Sequence, residues 1–262
     1  VSPTPTVEPT PVLGVWINPV AGGDYLGDGR SDIAVFRPPV GLWAVRGATR
    51  AYFGASGDLP VSGDYDGDGT ADIALYRASR GKWLIRGVTS YFFGRADDRV
   101  VPGDYDADGV TDACVFRPSS GSWIVRAVTK LYFGKSGDLP VRADYGGDGG
   151  VDVAVFRPSS GLWIVRSLTR VYFGSSSDYP VPARYGEAAA APAVFRPFAG
   201  LWLARGTTRF YFGTLADLPI PADYDGDGFD DPAIYRADSG LWWVRGISKV
   251  YHGAFNDLPA TR

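Results

Sequence analysis

The chain of 262 residues carries a formal net charge of −3, is 14% aromatic, and holds 35 glycines, 20 prolines, one histidine and one cysteine. This balance gives no electrostatic case for nucleic acid, a lone cysteine excludes an internal disulfide, and no apolar run approaches the roughly 18 residues of a membrane span. The Gly, Pro and aromatic content is what many short strands joined by turns require.

Residues 1–12 (VSPTPTVEPTPV) form a Pro/Thr tract that cannot build a core and reads as an extended spacer. It is expected to act as a linker or as a tail docking on another chain, with Thr4, Thr6 and Thr10 as candidates for O-glycosylation. Without an initiator Met or a signal peptide, the chain is expected to be a processed or excised piece. Residues 13–19 (LGVWINP) resemble the approach to a strand. Trp16 within them has no counterpart further on and is a candidate for plugging a closure or receiving a partner.

From residue 19 to about 259 the sequence repeats. An aspartate-rich turn at 63–72 (GDYDGDGTAD) returns in near-copies at 23–32, 103–112, 143–152 and 222–231, and in a degenerate copy at 183–191 (ARYGEAAAA). Recurrence at about forty residues marks a repeat architecture, in which each unit buries its apolar faces against its neighbours. In the second repeat, 59–65 (LPVSGDY) is a short extended run and the aspartate loop follows. Then 72–77 (DIALYR) reads as a strand, 78–81 as a turn, 82–87 (KWLIRG) as the returning strand and 88–94 (VTSYFFG) as a further one. Residues 95–100 cross to the next unit.

Four strands per unit without helical periodicity predict an all-β fold, a six-bladed β-propeller of four-stranded antiparallel blades over residues 13–262. The blades are expected to start near 20, 60, 100, 140, 180 and 219. The first run of each should lie innermost, because its small residues suit a crowded axis. The last run, with Arg50, Lys130, Arg170, Arg209 and Lys249, should be the solvated outer edge. Residues 254–262 (AFNDLPATR) repeat the approach of 13–19, so the two ends are expected to meet.

Blade five serves as an internal control, because it lacks the loop aspartates yet keeps Tyr185, Arg196, Trp202, Arg205, Asp217 and Pro219 at their repeat positions. What survives there is scaffold. The Trp series 43/83/123/163/202/242 is therefore read as inter-blade core. Two arginine series, 37/77/117/157/196/236 and 46/86/126/166/205/245, and the Asp series 58/98/138/178/217/257 are read as charge-assisted pairs tying blades or crossovers together. Cys114, inside an apolar run, reads as a small buried hydrophobe.

Asp64, Asp66, Asp68 and Asp72 occupy positions 1, 3, 5 and 9 of a loop with Gly69 at position 6 and the carbonyl of Thr70 at position 7. Hard oxygens at that spacing wrap Ca²⁺, and the glycine permits the sharp turn. Blade three (Asp104, Asp106, Asp108, Val110, Asp112) and blade six (Asp223, Asp225, Asp227, Phe229, Asp231) are equally complete. Blade one (Asp24, Asp28, Asp32) and blade four (Asp144, Asp148, Asp152) each lack one carboxylate, with Leu26 and Gly146 at position 3. Three calcium ions are expected, and up to five if the incomplete loops also bind. Turn formation alone does not ask for four mutually repelling carboxylates in nine residues.

The pattern GDYDGDGTADIALYR, with Phe-Gly closing the units at 53–54, 93–94, 133–134, 173–174 and 212–213, resembles the FG-GAP/VCBS repeats of bacterial extracellular proteins. It is also similar to the calcium-bearing blades of integrin α-subunit propellers and of certain fungal lectins, although integrin-like propellers have seven blades. The resemblance implies a secreted or surface location, with calcium supplied by the surroundings. No enzyme is expected, because His252 stands where other blades carry Phe and one His with one buried Cys assembles no nucleophilic set. The expectation is a non-catalytic, calcium-stabilised interaction or adhesion module for protein or glycan, without membrane insertion. Its alternatives are a structural subunit of a surface filament, with the tail docked on a neighbour, and a lectin-like carbohydrate-binding module of a secreted enzyme. Trp16 and Trp243 are the aromatic candidates for partner contact outside the repeating core.

Overall fold

The computed structural model describes residues 23–260. Among these residues, short strands form six antiparallel four-stranded sheets, the blades of a propeller. In blade two, Asp58–Pro60, Ala74–Arg77, Lys82–Ile85 and Thr89–Phe92 follow one another from the buried inner edge to the exposed outer edge. Ala74–Arg77 is covered on both faces, so its sequence ALYR does not alternate. In the outer strand, Tyr91 turns inward and Phe92 outward, the period of two expected of a half-buried strand. Gly81 and Gly94 have φ of 57° and 96°. A Cβ on Gly81 would collide with the Gly94 carbonyl, so the two glycines that bracket each outer hairpin are required together.

The ring closes with sequence from the far end of the chain. Leu258–Pro259 is the inner strand of blade one, paired with Phe36 and Val35. The Tyr25 hydroxyl donates to the Ala260 carbonyl at 3.2 Å, as the Tyr65 hydroxyl does to Val61 within blade two at 2.6 Å. Residues 254–260 thus meet blade one, while the expected meeting with residues 13–19 falls on residues 1–22, which, with Trp16 and the three tail threonines, lie outside the described residues.

The core lies in the seams between blades. Trp83 packs with Val61 and Tyr76 of its own blade and with Ala113 and Val115 of the next. Each of the six repeating Trp side chains is buried, and each indole N–H donates to the carbonyl just after an outer strand, for example Trp83 to Phe93 at 3.0 Å. His252 takes the place of that Phe in blade six, and its carbonyl accepts from Trp242. Its Nε2 lies 2.9 Å from the Ala44 carbonyl of blade one, an added tie at the closing seam. Cys114 is fully buried, and burial pushes its thiol up to about 12.

The two arginine series have different roles. Arg77 donates from Nε and NH2 to the two oxygens of Asp58, both at 2.7 Å, and the same bidentate pair recurs in all six blades, with Arg37–Asp257 spanning the closure. The hydrogen bond to the carboxylate raises each of these guanidinium groups above its ordinary value. The second series departs from the predicted ion pairing. Arg46, Arg86, Arg126, Arg166, Arg205 and Arg245 are exposed and make no salt bridge among the described residues. The two outer strands and the turn between them carry no Asp or Glu in any blade. Arg126 instead stacks 4.1 Å over Tyr91, and Arg245 4.3 Å over Phe210, each ring belonging to the preceding blade.

Breaking one member of each series should separate these roles. Arg117→Ala leaves the buried Asp98 carboxylate unpaired and should cost about 3 kcal/mol; Arg126→Ala loses an exposed cation–π contact and should cost less than about 1 kcal/mol. Equal losses in urea denaturation would contradict the assignment.

Candidate metal centres in the loop ring

The aspartate loops join the inner strand of each blade to the second, and each is pinned at its root by an antiparallel bridge such as Gly63↔Asp72. Neighbouring loops also hold one another. The carbonyl of the first loop position accepts from the backbone N–H just before the last position of the loop in the following blade. These bonds run from Ala71 to Asp24 (2.7 Å), Thr111 to Asp64 (2.5 Å), Val151 to Asp104 (2.6 Å), Ala190 to Asp144 (2.7 Å), Asp230 to Arg184 (2.9 Å) and Ser31 to Asp223 (2.6 Å). The result is a closed circle of backbone hydrogen bonds. Blade five takes part although its loop is degenerate, and there the Arg184 N–H also donates to the Asp230 carboxylate at 2.7 Å.

Within the complete loops the carboxylates converge. Asp64, Asp66 and Asp72 bring one oxygen each to within 4.8 Å of one another, as do Asp104, Asp106 and Asp108, and Asp223, Asp225 and Asp231. The first aspartate is aimed by the loop backbone, because Gly67 and Gly69 donate to the two oxygens of Asp64 at 2.7 and 2.8 Å. The Tyr65 N–H holds Asp72 at 2.9 Å. Asp68 turns to the N–H and hydroxyl of Thr70 (2.8 and 2.6 Å), and Asp108 and Asp227 accept likewise from the N–H of Val110 and Phe229. Burial, opposed by the Tyr105 N–H and reinforced by Asp106, Asp108 and Asp104, pushes the Asp112 carboxyl up to about 6. Asp231 is raised to about 6 by the same causes, with Tyr224, Asp225, Asp227 and Asp223 in those roles.

The incomplete loops are built differently. Where position 3 lacks a carboxylate, its backbone N–H folds over the last aspartate, Leu26 to Asp32 and Gly146 to Asp152, each at 3.0 Å. Asp24 and Asp144 still collect glycine N–H groups. No trio of converging carboxylates forms in these two loops among the described residues. The donor set of blades two, three and six fits a hard divalent cation, with only carboxylate and carbonyl oxygens and negative charge gathered in excess of its hydrogen bonds.

Trp243 is 37% exposed. It lies edge-on to Phe212 of blade five, ring centres 5.0 Å apart, with the Lys249 ammonium 4.7 Å above its ring. Each loop has a further anchor beyond its aspartates. The tyrosine after the first loop position anchors every loop to the carbonyl just after an inner strand, as in Tyr105 to Val101 (2.8 Å) and Tyr185 to Val181 (3.0 Å). The Asp-Tyr pair, kept as Arg184-Tyr185 in blade five, is its sequence signal.

No protein-family model matches this chain, and neither does any curated protein sequence. Among solved structures, the chain is similar to BBS1N in its complex with ARL6DN, in crystals soaked with lead or with mercury. The TM-score is 0.54 for both, with 14% and 17% identity, covering 92% of this chain and 83% and 82% of the other. At that identity the likeness supports the propeller fold alone.

If calcium fills the loops of blades two, three and six, removing it should lower the melting temperature. A site held at about 100 times its Kd adds about 2.7 kcal/mol, which for a chain of this size is about 5–10 °C. Asp106→Ala should remove one ion from the stoichiometry measured by titration calorimetry and leave the others. An unchanged melting temperature in chelator would refute the ion assignment.

Proposed function

We propose that the chain is a calcium-stabilised, non-catalytic propeller of the FG-GAP/VCBS kind that works outside the cell as an interaction or adhesion module. The observation that carries this reading is the convergence of three carboxylates in each of the complete loops. In blade two, Asp64, Asp66 and Asp72 would hold the ion with help from Asp68 and the Thr70 carbonyl; blade six repeats this set with Asp223, Asp225 and Asp231, whereas in blade three Asp104, Asp106 and Asp108 would hold it with help from Asp112. The ion supplies positive charge that stiffens the loops. The protein's part is to orient the carboxylates with glycine and tyrosine N–H groups before the ion arrives.

The non-catalytic reading rests on the placement of the reactive residues. Half-buried His252 is engaged at the seam with the Ala44 carbonyl and Cys114 is sealed in the core, so both are committed to packing. Extracellular placement follows the ions, since weak all-oxygen loops fill where calcium is abundant. That BBS1N was solved bound to ARL6DN supports a partner-binding use for a body of this shape.

The test is light scattering on the full chain and on one beginning at Leu13, each with calcium and with chelator. An interaction module should be a calcium-stabilised monomer in both forms. Assembly of the full chain that is lost on removing residues 1–12 would transfer the reading to a structural subunit with a docking tail.

A further inference from the structure

A second chemical pattern runs around the outside of the ring, apart from the aspartate loops. The two outer strands of each blade and the turn between them form a hairpin bracketed by glycines, at 41–54, 81–94, 121–134, 161–174, 200–213 and 240–253. Each hairpin carries two Lys or Arg residues, and none contains Asp, Glu, Asn or Gln. The carboxylates of the chain sit instead mainly in the loops and in the buried arginine pairs. Each hairpin also ends its outer strand in one exposed ring: Tyr52, Phe92, Tyr132, Tyr172, Tyr211 and Tyr251 are 66–78% exposed. A single exposed aromatic needs no explanation, but the same one in all six blades is a built surface.

Strand geometry puts cation and ring together. Lys130 and Tyr132 are two residues apart on one strand and so project from the same side, with the ammonium 5.8 Å from the ring centre. Arg209 reaches the Tyr211 hydroxyl at 3.4 Å. Arg126 extends this surface across the seam by stacking on Tyr91 of the preceding blade, and Arg245 does the same on Phe210. Between blades five and six, Trp243 beneath Lys249 adds a further partly exposed ring.

We propose that these outer seams bind an acidic polysaccharide, one that carries uronate or sulfate groups along its length. Lys and Arg only donate hydrogen bonds, and the hairpins offer neither carboxylate nor amide to accept from the hydroxyls of a neutral sugar. Uronate and sulfate groups are acceptors that match arginine and lysine. The flat faces of the exposed tyrosines suit the apolar face of a sugar ring. Six weak copies on one rigid body gain from avidity along a polymer what each lacks alone. Single-stranded nucleic acid shares the taste for cations and stacking, but it relies on stacking successive bases on aromatic side chains, and here the exposed outer-strand rings stand one to a blade. This inference goes beyond the calcium-module reading and does not depend on which loops hold ions.

The test is biolayer interferometry with the full chain in calcium against immobilised heparin and polygalacturonate, with dextran and an oligothymidylate as comparators. Binding to heparin, to polygalacturonate or to both is expected, which distinguishes sulfate from uronate, and dextran should show none. The affinity should fall by about tenfold or more between about 50 and 200 mM salt. A variant combining Lys130→Gln, Tyr132→Ala, Arg170→Gln, Tyr172→Ala, Lys249→Gln and Tyr251→Ala should lose about tenfold or more through reduced avidity. Its far-ultraviolet spectrum and melting temperature should be close to those of the parent, because all six side chains are outward. Arg30→Gln, on the loop ring, should bind like the parent. The proposal is overturned if neither acidic polymer binds, if the six-fold variant binds undiminished while folded, or if the oligonucleotide binds more tightly than both polysaccharides.

Discussion

A buried aspartate at the entry to each inner strand is the interaction on which the propeller depends. Asp58 accepts two hydrogen bonds from Arg77 and a third from the Ala55 N–H at the crossover. One carboxylate therefore ties the chain leaving blade one to the inner and second strands of blade two. The glycine that ends the preceding outer strand is part of the same arrangement, since a Cβ on Gly54 would press on Leu75 and approach Asp58. Burying six carboxylates would be ruinous if they were unpaired. Paired bidentately, they fix where each crossover lands and hence how one blade faces the next.

That geometry separates the chain's charge into two regions. With arginine and aspartate matched in the six pairs, the remaining carboxylates gather mainly in the loops at the inner strands, and many of the remaining cations on the outer hairpins. A formal charge of −3 conceals this division, because it averages a strongly acidic ring of loops with a basic rim. Long-range steering and local recognition respond to the separate fields, not to their sum.

Much of the fold was legible because the repeat supplies six readings of each position. Blade number, strand order, the Trp core and the buried Asp–Arg pairs could all be read from the recurrence, and blade five distinguished scaffold from loop chemistry. The role of the second arginine series was not legible. Recurrence shows that a residue has a structural place, not which neighbour it meets, and the rings of Tyr91 and Phe210 that receive Arg126 and Arg245 lie a blade away. The circle of backbone hydrogen bonds was hidden for a similar reason, since it uses atoms that every residue possesses. In the candidate site, the spacing named the loop aspartates but not which three would converge: Asp68, Asp108 and Asp227 all accept from their own loop backbone, yet Asp108 joins its trio while Asp68 and Asp227 stay outside theirs.

Blade five sharpens the case for ions. Its loop keeps its place in the circle of hydrogen bonds through the Arg184 carbonyl, and its tyrosine keeps its anchor on Val181, with no loop aspartate of its own at all. The circle and the tyrosine anchor therefore do not need the loop carboxylates. Where three of them approach within 4.8 Å, each pair repels by about 1–3 kcal/mol at an effective dielectric between that of water and that of a protein surface. Blades one and four relieve the crowding by replacing one carboxylate with a backbone N–H, whereas blades two, three and six accumulate the charge. A structure that can form this turn without the repulsion, and elsewhere does so, has use for the repulsion only if a cation offsets it.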